Sequence, residues 1–327
     1  MSVRIAIVGA GAWGTALACA ARRAGNRVML LARDSAVVRS VNSGDGNRKY
    51  LPGARLPEGI VATTDPSAAL HDAAIVLLAC PAQSVGEIAR GLRGSCGRDA
   101  VIVGCAKGIE RTTGRLPHRA IAEALPGHAV AALSGPSFAA DVVAGLPTAV
   151  TVASGDLERS ARLCRALSSP AFRCYASDDI AGVELGGALK NVLAIAAGAA
   201  RGMRLGASAE AALIARGFAE LSRLAVALGA RPGTLAGLSG LGDLVLTCLG
   251  PQSRNFAYGM ALGEGRPTEG LPLAEGSFTA GVAVRLAAEA RVDAPVIAAV
   301  AAVVGREITP REAVASLLDR PLKSEMQ

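Results

Sequence analysis

A chain of 327 residues, half of them apolar, is long enough for two packed domains and too hydrophobic to stay disordered. Its formal net charge of +7 favours anionic partners in general, but the basic residues are scattered and aromatics are only 3%, which argues against a nucleic-acid surface built on stacking. Seven cysteines without a Cys-x-x-Cys pair, and three histidines without ligand spacing, point to reduced thiols in a cytoplasmic protein with no metal site.

Val3 to Val8 (VRIAIV) reads as a buried strand. Gly9-Ala10-Gly11-Ala12-Trp13-Gly14 follows, then a small-residue helix, Thr15 to Ala24, ended by Gly25-Asn26, and a second strand, Val28 to Leu31. The first twenty residues also mimic a secretory signal, with an early Arg4 and an Ala18-Cys19-Ala20 tail. Glycine spacing explains the same residues better, as the Gly-x-Gly-x-x-Gly turn of a βαβ unit that binds a dinucleotide. Gly9 makes the tight turn, Gly11 admits the pyrophosphate, and Gly14 lets helix and strand pack closely. The helix N-terminus then offers free N–H groups to the phosphates.

The second strand ends Leu31-Ala32-Arg33-Asp34. An acid about 20 residues on grips the ribose of NAD, whereas an arginine meets the 2′-phosphate of NADP. Asp34 sits one step late for the first role, so Arg33 favours NADP(H), with NAD(H) tolerated. Further strands are expected at Ala74 to Leu78, Ala100 to Gly104, Val130 to Leu133 and Thr148 to Val152, with helices between several of them. That pattern is a doubly wound α/β sheet of Rossmann type, whose ligands bind beyond the carboxyl ends of the strands. The loops at those ends are Cys80-Pro81-Ala82-Gln83, Cys105-Ala106-Lys107-Gly108 and Ser134-Gly135-Pro136-Ser137, and Lys107, at a strand end beside a glycine, is the only cation among them.

After Asp178 the strand signals stop. Helices are expected at Ile180 to Ala200, Ala209 to Leu228, Arg254 to Glu264, Thr279 to Ala290, Val296 to Gly305 and Arg311 to Leu318. The chain therefore divides into a dinucleotide-binding domain, 1–178, and an all-α substrate and catalytic domain, 179–327, with the junction running through the first of these helices. No apolar run reaches the roughly 18–20 residues of a membrane span. Three features of this half are chemical: Lys190-Asn191 inside an apolar helix, Asp243 and Thr247 four positions apart, and Gln252-Ser253-Arg254-Asn255, where Ser253 caps a helix whose N-terminus can take an anion. A lysine is almost never buried without a partner. Gly186 and Gly187, one turn before Lys190, read as room for close approach by the other domain or by the cofactor, despite a helix cost of up to about 1 kcal/mol each.

Eight ordered motifs carry a resemblance: GAGAWGTALA from Gly9, NRKYLPG ending at Gly53, CAKGIE from Cys105, SGPSFA from Ser134, LGGALKNV from Leu185, GLGDLVLT from Gly240, QSRN from Gln252 and AEGSFT from Ala274. Over nearly its whole length the chain is similar to bacterial NAD(P)-dependent glycerol-3-phosphate dehydrogenase. The resemblance implies interconversion of dihydroxyacetone phosphate and sn-glycerol 3-phosphate, hydride transfer from NADP(H) or NAD(H), a product feeding phospholipid synthesis, and a homodimer with neither nucleic acid nor membrane insertion. It places Lys190 as catalytic proton donor and acceptor. Lys107, Gly135, Ser137, Asp243, Ser253, Arg254 and Asn255 fall on substrate contacts, with Asn191 and Thr247 as polar support. Ala12, Trp13, Arg33, Lys107, Ala139, Arg254, Leu273 and Glu275 fall on cofactor positions, beside Gly9, Gly11 and Gly14. Pro251 stands where members often carry Asn, and a local loop change is expected there.

These roles fit the chemistry. Reduction of a ketone builds negative charge on oxygen, which a protonated lysine both stabilises and protonates. Arg254 presents a planar fork to a phosphate. Two other readings compete. A two-domain ketopantoate or β-hydroxyacid reductase would share the architecture and the lysine, but QSRN after GLGD favours a phosphorylated substrate. A non-catalytic NADP(H) sensor would keep the glycine turn without Lys107, Lys190 and Asp243.

Overall fold

A computed structural model describes residues 2–321. The chain forms two compact units. One comprises the residues up to Gly187 together with Ala230–Asp243; the other comprises Ala188–Gly229 and the described residues from Leu244 on.

The first unit holds eight strands: β1 (Arg4–Val8), β2 (Arg27–Leu31), β3 (Ile60–Thr63), β4 (Ile75–Leu78), β5 (Val101–Gly104), β6 (Val130–Ser134), β7 (Thr148–Ser154) and β8 (Phe172–Ser177). They lie side by side in the order β3-β2-β1-β4-β5-β6-β7-β8. All neighbours are parallel except β6 and β7. The order reverses at β1, which pairs with β2 on one side and β4 on the other, and this is where a doubly wound sheet opens a crevice for ligand. Alternation along β1 explains its apolar sequence: Ile5 and Ile7 enter one core cluster and Ala6 and Val8 enter another, so both faces are buried. The helix Ala12–Arg23 lays Ala16, Leu17, Ala18 and Cys19 into the first cluster.

Two strands lie outside the sequence expectation. β3 and β8 are the sheet's two edges, where one side has no ladder partner. Val61 in β3 and Tyr175 in β8 are exposed, and Arg173 adds a charge, so neither segment shows the unbroken apolar run of an inner strand.

The segment 230–243 returns to this unit for a definable reason. The Arg231 guanidinium forks onto both carboxylate oxygens of Asp178 (2.6 and 3.0 Å), and its backbone N–H donates to Asp179 Oδ2 at 2.8 Å. Asp179 Oδ1 accepts from Gly182 N at 2.8 Å, in the first turn of the helix Ile180–Gly202. Division by compactness therefore falls inside that long helix, at Gly187/Ala188, nine residues after the change in composition.

The long helix also corrects the membrane reading. It has 23 residues, and the mean hydropathy of its most apolar 18-residue stretch is 1.4, so it meets the length and composition of a membrane span. Glu184 and Lys190 hide this by interrupting the apolar run. Of its most apolar stretch 89% is buried inside the protein, as in a core helix.

In the second unit, helices pack through glycine. Gly198 and Gly202 of the long helix face Gly259 and Gly263 of the helix Arg254–Gly263. A Cβ on Gly198 would lie 2.1 Å from Phe256 O, and one on Gly259 would lie 2.1 Å from Ile195 O. The two backbones touch, and any side chain there would separate them. The helix Ala207–Ala227 contributes Glu220, whose buried carboxylate accepts from Val296 N (2.8 Å) and Ile297 N (3.3 Å). It thereby caps the helix Pro295–Val304, whose own N-cap, Ala294, has no side-chain acceptor. The helix Glu275–Glu289 begins four residues before the expected Thr279, because Glu275 and Gly276 already take helical geometry. The helix Pro310–Leu318 completes the described chain, closed at its start by a Thr309/Glu312 capping box.

Candidate active site

The glycine-rich turn has the form a dinucleotide needs. Gly9 adopts φ +104°, and its Cβ would lie 2.7 Å from Ala79 O, so both conformation and space require glycine. A Cβ on Gly14 would lie 1.8 Å from Gly9 O. Gly11 differs: among the described residues nothing lies within 4 Å of its absent Cβ. Gly11 is also the N-cap of the helix Ala12–Arg23, which has no side-chain cap and no acid in its first turn. Open space before uncapped N–H groups is a place for a phosphate. Trp13 Nε1, on that first turn, is buried with no hydrogen-bond partner among the described residues.

One further residue positions the turn. Asn47, in the loop after the helix Ser35–Asn42, is fully buried and donates to Ala10 O and Thr15 Oγ1, both at 2.8 Å. It latches the loop to the glycine turn. Its only signal in sequence is its place at the start of the NRKYLPG run.

The first unit brings Lys107, Gly135, Ser137 and Asp243 together. Lys107 follows β5, and its Nζ donates to Gly135 O (2.7 Å) and to Asp243 Oδ2 (2.8 Å). That ammonium also lies 6.0 Å from the centre of the Trp13 ring, within cation–π range. Ser137 Oγ donates to Gly135 O at 3.1 Å. Gly135 sits at φ +148°, and its Cβ would fall 2.8 Å from the Val150 backbone, so β7 packs directly on this turn. Asp243 is 1% exposed, so its contact with Lys107 is a buried charge-assisted bond and not a surface pair. It begins the helix Asp243–Cys248, directly after a π-helical turn at Leu238–Gly242. Ala139 opens the short helix Ala139–Ala144. Arg33 is exposed at the end of β2.

Gly186 and Gly187 both admit close neighbours, and that of Gly187 comes from the segment 1–178, as expected. A Cβ on Gly186 would meet Ser239 O at 2.8 Å, and one on Gly187 would meet Ser134 Oγ at 2.4 Å. One turn earlier on the same helix, the buried Glu184 accepts from His118 N (2.9 Å) and pairs with His118 Nδ1 (2.6 Å). Burial pushes the Glu184 carboxyl up, against the pull of His118.

The second unit carries Lys190, Asn191, Thr247, Ser253, Arg254, Asn255, Leu273 and Glu275, and brings Lys190 to Thr247 and Asn191 to Asn255. Lys190 is 5% exposed, and its Nζ donates to Thr247 Oγ1 at 2.5 Å. Beside it, Asn255 Nδ2 donates to Asn191 Oδ1 (3.0 Å) while Asn255 Oδ1 accepts from Gly276 N (2.9 Å). This relay ties the long helix to the starts of the helices Arg254–Gly263 and Glu275–Glu289. Ser253 is the N-cap of the first of these, its Oγ accepting from Phe256 N, as the spacing predicts. Arg254, at the first helical position, is exposed. Leu273 is exposed, and Glu275 opens the helix Glu275–Glu289. Cys248 is buried near Lys190, and desolvation pushes its thiol up to about 12, so it stays neutral. Among the described residues no three His, Cys, Asp or Glu side chains converge as metal ligands would.

Residues 4–160 match the family profile of the NAD-dependent glycerol-3-phosphate dehydrogenase N-terminus, and residues 179–315 match that of its C-terminus. A glycerol-3-phosphate dehydrogenase [NAD(P)+] from Chelativorans sp. is 55% identical over 98% of both chains. The crystal structure of glycerol-3-phosphate dehydrogenase from Coxiella burnetii superposes with a TM-score of 0.91 at 38% identity, covering 98% of this chain and 99% of that one. A 2-dehydropantoate 2-reductase from Methylococcus capsulatus shares the fold alone, with a TM-score of 0.62 at 16% identity over 98% of this chain and 99% of that one. By sequence and fold over almost its full length, this chain belongs to the NAD-dependent glycerol-3-phosphate dehydrogenase family.

Proposed function

We propose that the protein reduces dihydroxyacetone phosphate to sn-glycerol 3-phosphate with NADPH or NADH, reversibly, and that the product supplies glycerophospholipid synthesis. The observation that carries this reading is the buried ammonium of Lys190, held by Thr247 in a largely apolar helix. Keeping a lysine there is costly unless its charge is used.

The nicotinamide nucleotide, when bound, supplies the hydride. Gly9, Gly11, Ala12, Trp13 and Gly14 would hold its phosphates, with Arg33 at the adenosine end; the open space at Gly11 and the uncapped helix behind it fit that group. Ala139, Leu273 and Glu275 are assigned to the same cofactor. As the carbonyl carbon is reduced, negative charge grows on its oxygen. Lys190 stabilises that charge and transfers a proton from Nζ to the oxygen, and in the reverse direction it takes the proton back. Thr247 fixes the position of the ammonium, and Asn191 is the polar support beside it. Lys107 and Asp243 form a preset polar pair that orients the substrate with Gly135 and Ser137. Ser253, Arg254 and Asn255 receive the phosphate at the N-terminus of the helix Arg254–Gly263, where backbone dipoles and a guanidinium act together. The protein works as a soluble cytoplasmic homodimer.

Substitution of the ammonium tests this assignment. Lys190→Ala lowers turnover of dihydroxyacetone phosphate by about 100-fold or more, the size of a lost general acid. NADPH binding, followed by fluorescence titration, stays within about threefold of wild type, since Lys190 is assigned no contact with the nucleotide. Near-normal turnover in that variant would remove Lys190 from the reaction.

A further inference from the structure

The end of β2 decides between a 2′-hydroxyl and a 2′-phosphate in a sheet of this type, and there the structure differs from the plain reading of Arg33 and Asp34. Asp34 has the chemistry of an NAD-type acid, yet both its oxygens are engaged. Oδ1 accepts from Ala36 N at 2.9 Å and so caps the helix Ser35–Asn42. Oδ2 accepts from Lys49 Nζ at 2.8 Å. The hydrogen bond from Lys49 holds the Asp34 carboxyl below its ordinary range, so it is ionised and neutralised in place.

The Lys49 side chain is 56% exposed, but its loop is tied to the glycine turn. Lys49 follows Asn47 by two positions, and Asn47 is the buried latch onto Ala10 and Thr15 of the glycine turn. Leu51 N donates to Asn47 O at 2.8 Å, closing the loop on the far side of Lys49. The loop that carries Lys49 is thus held by the same contacts that shape the phosphate turn, and its ammonium reaches the end of β2 through Asp34. Arg33, one residue before Asp34, is exposed.

We propose that Lys49 is a specificity residue for the nucleotide: with Arg33 it receives the 2′-phosphate of NADPH, and through its bond to Asp34 it withdraws the carboxylate that a 2′-hydroxyl would need. A phosphate monoester presents up to two negative charges, which suit one guanidinium fork and one ammonium. An unscreened Asp34 would repel it. This inference rests on the assignment of the Gly9–Gly14 turn to the nucleotide.

Equilibrium titration of the full-length protein with NADPH, NADH and adenosine 2′,5′-bisphosphate tests it. Lys49→Ala weakens NADPH and the bisphosphate by about tenfold, the loss of one charge-assisted bond, while NADH changes by less than about threefold. Lys49→Arg keeps the wild-type preference. Equal weakening of NADPH and NADH, or unchanged NADPH binding in Lys49→Ala, would overturn the role of Lys49. Gly11→Val separates the two levels. Its side chain fills the space before the helix, so it abolishes binding of both nucleotides; if both still bound normally, the nucleotide would lie elsewhere and the proposal would fall with its premise.

Discussion

Gly198→Ala adds one methyl group where two helix backbones touch. That carbon would lie 2.1 Å from Phe256 O and 2.9 Å from Met260 N, against an ordinary contact of about 3.5 Å. Both neighbours are main-chain atoms of the helix Arg254–Gly263, so no side chain can swing aside, and the helices must part by about 1 Å or more. Overpacking of this kind costs about 3 kcal/mol, the upper end of the usual range. Alanine returns about 1 kcal/mol in helix propensity, leaving a net loss of about 2 kcal/mol. Gly281→Ala supplies the control. Gly281 is interior to the helix Glu275–Glu289, and nothing lies within 4 Å of its absent Cβ. The same chemical change there stabilises by about 0.5–1 kcal/mol. Urea denaturation followed by circular dichroism reads both as shifts in midpoint at unchanged slope. The reasoning fails if Gly198→Ala is as stable as wild type, or if Gly281→Ala destabilises.

Arg254→Ala raises KM for dihydroxyacetone phosphate by about 10–100-fold, the value of charge-assisted bonds to a phosphate, and an unchanged KM would remove Arg254 from the phosphate site. Glu220 gives a pH prediction. Burial raises its folded-state pKa above the ordinary glutamate value, in spite of the N–H groups of Val296 and Ile297. The folded protein therefore holds this proton more tightly than the unfolded chain, so the contribution is full below the unfolded pKa and is lost as pH rises through the folded value. Glu220→Gln removes that loss, and its stability relative to wild type should rise with pH from the ordinary glutamate value upward and then level off. A pH-independent difference in urea midpoints would contradict the assignment. Asn47→Ala breaks the latch on the glycine turn, and its dissociation constants for NADPH and NADH should both rise by about tenfold, the loss of about one buried hydrogen bond.

Much of this structure was legible in sequence because local chemistry dictates it. The glycine turn follows from spacing alone, since Gly9 and Gly14 are each excluded from bearing a side chain by one backbone oxygen. Ser253 announces a helix N-cap. The inner strands are apolar on both faces and read as runs. What was not legible depends on contacts distant in sequence. β3 and β8 are edges with mixed faces, and the antiparallel turn of β7 against β6 leaves no mark on its residues. Asp243 belongs to the sheet-bearing unit because Arg231 reaches Asp178 and Asp179, a pairing across about fifty positions. Gly186 and Gly187 were recognisable as room for a neighbour, but not for which one. Asn47 and Lys49 sit in a polar loop where either could pass for a solvated residue; only the fold gives Asn47 its two buried acceptors.

The central claim is that this chain reduces a phosphorylated ketone. Following NADPH and NADH oxidation by the purified protein with dihydroxyacetone phosphate, unphosphorylated dihydroxyacetone and ketopantoate tests it most directly. Rapid oxidation with dihydroxyacetone phosphate, and a kcat/KM at least about 100-fold lower for the other two, is the expected result. Equal or greater activity on ketopantoate or on dihydroxyacetone would contradict it.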